Sequence, residues 1–490
     1  MRTRRDQVQA YRFVTRRIVS ALLSGDPETT NLPMRRLGMA VIGSVLTAAI
    51  VLGGAGAYGQ FTGNTAPLEA NTLVIERETG ATYVFADGVL HPTLNYASAR
   101  LILNEADPPT RTMSRASIED RPRGRTVGIV GAPDALPDRK SLVGLPWSVC
   151  DVPDPGDSRR STTRVVIDRP LTGGTPLADR AVLVRGDGQR FLLTGGSRLQ
   201  IVGGDPALAA LRMANATALD VGAQLLNAVP AGPALRELGI DGDGTASSRS
   251  VGGRPARIGQ VFRAAGEHYV LTRDGLVSIG EVSALLLQSD GGQVTDISPD
   301  QVGELADRRV EPDGMPQALP ALHPVRPGQT VVCASYRSGP AGGAPTTTLE
   351  VFDRAPPELA GADGATAVRQ GSRDAVETAE EVLLPGGKGV LVQAAPGAGE
   401  GTEAAAGATV YLISPQGVRY PLGKRSGDAA TALGYGGVKP LVVPASLLSL
   451  IPTGPTLERR DALSYFAPGD GPGTPSAQPK AATGAPAQGG

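Results

Sequence analysis

A chain of 490 residues with 47 basic and 48 acidic side chains has a formal charge of -1, which gives no electrostatic case for a nucleic-acid partner. Glycine and proline make up about 22% of the residues, high for a folded protein yet below the range of a wholly disordered one. With 2 cysteines and 3 histidines, the chain has no CxxC pair and no histidine-rich spacing for a structural zinc site.

Residues 5–23 read as a basic amphipathic helix. Val8, Tyr11, Thr15, Ile18 and Leu22 recur at three- and four-residue spacing, while Arg5, Arg12 and Arg16 fall on another face. Such a helix suits docking on anionic lipid or on a partner's helix; a solvated charged helix is the alternative. Asn31-Leu32-Pro33 breaks the pattern.

From Leu37 to Tyr58 no side chain is charged, and 22 residues at 1.5 Å rise give about 33 Å of helix, enough to cross a hydrocarbon core. Ala55-Gly56-Ala57 has the small-x-small look of a signal peptidase site. The apolar run is longer than a signal h-region, however, and the polar stretch before it far longer than an n-region, so a retained anchor is expected. Eight arginines precede the span, against Asp6, Asp26 and Glu28, and no Lys or Arg follows it until Arg77. This bias places residues 1–36 in the cytoplasm and everything after the span outside. Ala40, Ser44 and Ala48 line one smooth face of the span, weak support for helix association.

After a linker at 59–70, four segments share one pattern of apolar strand, polar turn closed by glycine, and second apolar strand. They are "NTLVIERETGATYVFADGV", "RAVLVRGDGQRFLL", "GEHYVLTRDGLVSIGEVSALLL" and "ATVYLISPQGVRYPLG", with turns at Gly80, Gly188, Gly275 and Gly417. They predict an α+β fold in which small lobes at 71–120, 179–250, 251–320 and 401–466 surround a central domain of 121–178 and 321–400. The central strands are expected in "RTVGIVGAPDAL", "SLVGLPWSVC", "TRVVID", "QTVVCASY", "TTTLEVF" and "GKGVLV". Cys150 and Cys333 both lie in that group on the exterior side, where an even pair favours a disulfide; two buried free thiols are the alternative. Residues 467–490 have almost no apolar side chains to bury and are expected to be disordered; the glycine-rich stretch around Gly397–Gly407 is assigned no role.

The search for chemistry comes up empty. Gly54, Gly56 and Gly59 match GxGxxG at the outer end of the apolar span, without the strand-turn-helix setting that a dinucleotide needs. "PGGKGV" has Gly389 where a phosphate loop requires Ser or Thr, and "DGDGT" lacks the later ligands of a calcium loop. His91, His268 and His323 read as structural, and Trp147 as packing on the cysteine bridge. No catalytic, cofactor or metal residue is assigned.

The blocks "TRRDQVQAYRFVTRRIVSALLSGDPE", "PMRRLGMAVIGSVL", "YGQF", "ATYVFADGVLHPTLNYASARLIL", "LPWSVC", "LNAVPAGPAL" and "VKPLVVPASLLSLIPTGPTL" together resemble EccB, membrane component B of the type VII (ESX) secretion systems of actinobacteria. The resemblance covers nearly the whole chain up to the tail. It implies a cytoplasmic segment, a single transmembrane helix, and a β-rich periplasmic central domain with four small α/β repeat lobes. It also implies two cysteines in the central domain, assembly with an EccC-type ATPase, EccD and EccE, self-association, a nearby mycosin protease and a contact with peptidoglycan. A structural component is therefore the expected role, with a cell-wall-binding module and a nucleotide hydrolase as the alternatives.

Overall fold

The computed structural model describes residues 4–25, 33–62, 67–154, 156–289, 291–303, 306, 308–339, 343–360, 378–395 and 408–465. The 467–490 tail and the Gly397–Gly407 stretch lie outside the described residues. The chain divides into two compact units, Met1–Leu90 with Thr110–Arg123 and His91–Pro109 with Gly124–Gly490.

The first unit begins with α1 (Arg4–Ser24), whose first turn places Asp6 at the positive end of the helix dipole. Helix α2 (Pro33–Thr62) contains Leu37–Ala57, a stretch of mean hydropathy 2.1 that is long and apolar enough to cross a membrane. Lobe 1 follows, with β1 (Thr72–Glu76), β2 (Thr82–Ala86), β3 (Val89–Pro92), β4 (Thr110–Met113) and α4 (Arg115–Ile118); the intervening α3 (Tyr96–Leu103) is counted in the second unit. Its sheet order is β3-β2-β1-β4: β1 and β2 are antiparallel, and β4 runs parallel to β1. A parallel return requires a crossover, and α3 supplies it. Val74, Tyr83, Phe85, Leu90, Met113 and Ile118 form the core.

The second unit repeats this topology three times. Lobe 2 has β8 (Ala181–Gly186), β9 (Gln189–Thr194), β10 (Ser197–Ile201), α5 (Gly204–Ala210), β11 (Leu219–Asp220) and α6 (Ala223–Ala228), after β5 (Trp147–Asp154), β6 (Asp157–Ile167) and β7 (Thr175–Pro176). A hairpin, β12 (Ala246–Val251) and β13 (Arg254–Arg257), precedes lobe 3, which comprises β14 (Val261–Ala264), β15 (Glu267–Leu271), β16 (Leu276–Ile279), α7 (Glu281–Leu286) and β17 (Thr295–Asp296). Then come β18 (Val331–Arg337), β19 (Thr346–Phe352) and β20 (Glu381–Leu383). Lobe 4 closes the fold with β21 (Val390–Ala394), β22 (Val410–Ile413), β23 (Arg419–Pro421), α8 (Ser426–Ala432), β24 (Leu441–Val443), α9 (Ala445–Ser449) and α10 (Arg459–Ala462). In every lobe the sheet order is third, second, first, fourth.

The second unit also holds one six-stranded sheet, ordered β20-β6-β5-β18-β19-β7. Its two main hairpins echo each other in sequence: Val149-Cys150 and "TTRVVIDR" in one, Val332-Cys333 and "TTLEVFDR" in the other. One face of the sheet, with Trp147, Val149, Val165, Val332 and Val351, shares a continuous core with Val182 and Val184 of lobe 2 and Val390 and Val392 of lobe 4. Helix α3 is capped by Asn95, whose side chain accepts from Ser98 N, and it buries Ala97 and Leu101 against Ala429, Leu433 and Tyr435 around α8.

Three sequence expectations need correction. "GKGVLV" supplies β21 to lobe 4 and not to the central sheet, so the lobe starts inside the 321–400 segment. Lobe 3 starts at β14, so Gly275 closes its second turn and the first turn belongs to Gly266. "RTVGIVGAPDAL" forms no strand of the six-stranded sheet; its Val127 bridges Thr93 and Tyr465.

Candidate functional site

On α1, Val8, Tyr11, Ile18 and Leu22 are 53%, 75%, 53% and 80% exposed, and Arg5, Arg12 and Arg16 are exposed with them. Phe13 and Val14, which the spacing argument passed over, are exposed as well, at 64% and 53%, and Arg17 stacks 5.8 Å from the Phe13 ring. The apolar surface is therefore wider than one stripe. Within α2, Leu37–Ala57 is entirely unburied, so two adjoining helices present large apolar side chains that the chain itself does not cover.

Cys150 and Cys333 face each other in register across β5 and β18 and form a disulfide with Cα atoms 4.1 Å apart. Neighbouring pairs on the same face are polar. Ser148 and Ser335 share a hydrogen bond of 2.9 Å, and Glu350 accepts from Ser335 Oγ at 3.1 Å and from Arg337 at 2.6 Å. Trp147 does not pack on the bridge. Three positions from Cys150 on a strand, it points to the opposite face, where it is fully buried and donates Nε1–H to Gly144 O at 3.1 Å.

The four predicted turn glycines all have positive φ, +74° at Gly80, +72° at Gly188, +143° at Gly275 and +73° at Gly417. Gly80 and Gly188 join first and second strands; Gly275 and Gly417 join second and third. Gly417 also abuts the central sheet, since a Cβ there would lie 2.8 Å from Val382 Cβ.

A recurring Pro-x-Gly clip went unread in the sequence. In lobe 2, Arg198 N donates to Pro230 O at 2.8 Å and Gly232 N to Arg198 O at 2.9 Å. In lobe 4, Arg419 N donates to Pro452 O and Gly454 N to Arg419 O, both at 2.9 Å. Each clip covers the outer edge of its lobe's third strand, so that edge is closed to further pairing. The parallel between "LLNAVPAGPAL" and "LLSLIPTGPTL" was the available signal.

The decoy motifs are structural. Gly387-Lys388 leads into strand β21 and not a helix, and Gly389 is wedged against Pro137 and Ile413 O. Asp241 of "DGDGT" faces Arg273 at 3.4 Å. The Gly124 backbone lies against the His91 ring, and His268 sits in β15 opposite Ile279. His323 Nδ1 contacts the Arg180 guanidinium at 2.5 Å; burial first, then that cation, lowers the imidazole pKa. A cavity of about 670 Å³ beside lobe 2 includes Ser197, Pro233, Pro316 and Ala321, with Asp179 and Asp313 the charged residues of its lining. Among the described residues no cluster of His, Cys, Asp and Glu forms a metal site.

Among the described residues, one helix apolar enough to cross a membrane, a disulfide-stapled six-stranded sheet and four lobes of like topology define a class: a membrane-helix-and-lobe protein. The family model for the type VII secretion system ESX-1 transport transmembrane domain B, EccB, matches residues 1–466. Curated relatives include the ESX-3 secretion system ATPase EccB3 of Mycolicibacterium smegmatis, 32% identical over 94% of this chain and 90% of that one. The ESX-1 secretion system ATPase EccB1 of the same species is 30% identical over 94% and 95%. Among solved structures, the EccB3 dimer from the ESX-3 core complex aligns at a TM-score of 0.61 and 29% identity, over 80% of this chain and 100% of that one. An intact ESX-5 inner membrane complex contains a chain of the same fold, with a TM-score of 0.65, 24% identity and 98% of each chain covered. The chain belongs to the EccB family of the type VII (ESX) secretion systems.

Proposed function

We propose that the chain is a structural subunit that joins the membrane part of a type VII secretion machine to its outer part. In this reading α1 lies in the cytoplasm, Leu37 to Tyr58 spans the membrane, and the lobes stand in the periplasm. The partners are an EccC-type ATPase, EccD, EccE and further copies of the chain, with a mycosin protease nearby. The observation that carries the reading is the uncovered apolar and cationic surface of α1 next to a fully unburied span-length helix. Large exposed apolar surface of this kind marks contact with lipid or protein.

The names of the relatives include the word ATPase, so hydrolysis is the reading to weigh against this one. The structure supplies two arguments for a non-catalytic subunit. The lysine of "PGGKGV" precedes a strand, whereas a phosphate loop needs the amino terminus of a helix. The charged residues lining the cavity are both acidic, which opposes a polyphosphate.

Gentle extraction of the tagged chain, followed by native sizing and mass spectrometry, tests the assignment. The expected result is one large particle containing the ATPase and the other membrane components, lost or reduced when Ile18→Asp and Leu22→Asp are combined. A lone monomer or dimer under conditions that preserve other membrane complexes, or ATP turnover by the purified chain, would overturn it.

A further inference from the structure

Asp151 stands in β5 on the sheet face that packs toward lobe 2, with 3% of its surface exposed. Its Oδ1 accepts from Thr163 Oγ1 of β6 at 3.1 Å and from Gly222 N, immediately before α6, at 3.2 Å. A second carboxylate, Glu380, reaches the same threonine. Its Oε2 accepts from Thr163 N at 2.8 Å, and its Oε1 accepts from Gln224 Nε2 of α6 at 3.2 Å. Glu380 N in turn donates to Thr163 O at 3.1 Å. One residue therefore ties two acids together, and the cluster joins β5, β6, the end of lobe 2 and the segment leading into β20.

The approach is close. A Cβ on Gly222 would fall 2.6 Å from Gln224 Oε1, 3.0 Å from Thr163 Oγ1 and 3.3 Å from Asp151 Oδ1. Among the described residues no basic side chain bonds either carboxylate. Asp220, which shares a small cavity with Asp151, is paired with Arg185 at 3.1 Å. Arg164 and Glu381 pair at 2.8 Å on the opposite face of the sheet. Two acids held this way without a cation repel when both are ionised.

We propose that this cluster is a proton-operated latch: protonation of Asp151 tightens the joint between lobe 2 and the central sheet, and its ionisation loosens it. The site goes beyond the scaffold reading and does not depend on it, because every group involved belongs to one chain. Burial raises the Asp151 pKa above 3.8, and the Glu380 charge adds to the rise, against hydrogen bonds from Ser161, Gly222 and Thr163 that lower it. The folded chain therefore binds more protons than the unfolded chain between 3.8 and the raised value. Stability of the joint falls as pH rises through that window and is constant above it.

Hydrogen exchange on the full chain in nanodiscs, corrected for the intrinsic pH dependence, reads the latch at the amides of 161–165 and 222–228. Between about pH 4.5 and about pH 8, opening of this joint is expected to rise, by up to about tenfold per pH unit within the window for one proton. Asp151→Asn keeps an Oδ1 acceptor for both donors and should hold the joint at its closed level at every pH. Glu380→Gln removes the second charge and should end the rise in opening at a lower pH, with a lower plateau, a reading that stands even where the Asp151 variant fails to fold. Opening independent of pH in the natural chain, an Asp151→Asn profile that follows it, or a rise in Glu380→Gln that ends at the same pH and plateau as in the natural chain would each overturn the proposal.

Discussion

The glycines of this chain serve two different ends. At Asp187-Gly188, φ is positive at both residues, the conformation that a tight hairpin of the right twist requires, so Asp-Gly between apolar strands could be read directly. At Gly232 and Gly454 φ is not positive; the requirement there is space. An added methyl would lie 2.4 Å from Leu199 Cδ2 or 2.3 Å from the Tyr420 ring, and Gly124 meets the His91 ring in the same way. No local pattern signals this, because the neighbour is about thirty residues away in sequence and is brought close by the strand pairing of the clip. Gly454→Ala is expected to cost about 1–3 kcal/mol and to lower the Tm of the detergent-solubilised chain by several degrees. Gly144→Ala, at a position with open space around it, serves as the control and should change little. Equal Tm values for the two variants would refute the clip's packing role.

Among the elements, the paired cysteine strands were the most legible, since two cysteines on the oxidising side of a predicted span leave few pairings. Their register completes the case: Cys150 opposes Cys333, and the bridge closes a separation of 183 residues. Restricting so long a loop in the unfolded chain is worth about 4–5 kcal/mol in the entropy model. Replacing both cysteines by alanine is expected to lower the Tm clearly, with the intact chain under reductant approaching the same value once mass spectrometry confirms the free thiols. A double variant as stable as the parent would remove the bridge from the list of stabilising contacts. The lobes were harder to delimit. In lobe 4 the first turn is replaced by the long 395–409 connection, so β21 looked detached from the strands it pairs with.

At the scale of the whole molecule, the second unit places its central sheet and parts of lobes 2 and 4 in one core. Trp147 and Val332 of the sheet, Val184 and Leu193 of lobe 2, and Val392 and Ile413 of lobe 4 belong to the same buried cluster. Burial shared in this way makes separate unfolding costly, because opening one lobe exposes apolar surface on the others. Slowly exchanging amides in β8, β21 and β18 are therefore expected to report one common opening free energy. Protection of β21 that is lost well before that of β18 would show instead that lobe 4 unfolds by itself.

Local patterning determined the apolar helix and its flanking charges, the amphipathic helix before it, the strand-turn-strand hairpins and which two cysteines could pair, because each rests on near-neighbour periodicity or on a count that leaves a single possible pair. Tertiary structure decided what those pieces belong to. The fourth strand of each lobe, the Pro-x-Gly clips, the orientation of Trp147 away from the bridge and the meeting of Asp151 with Glu380 all depend on residues tens to hundreds of positions apart. Such contacts follow from strand order and face, and a one-dimensional pattern carries neither.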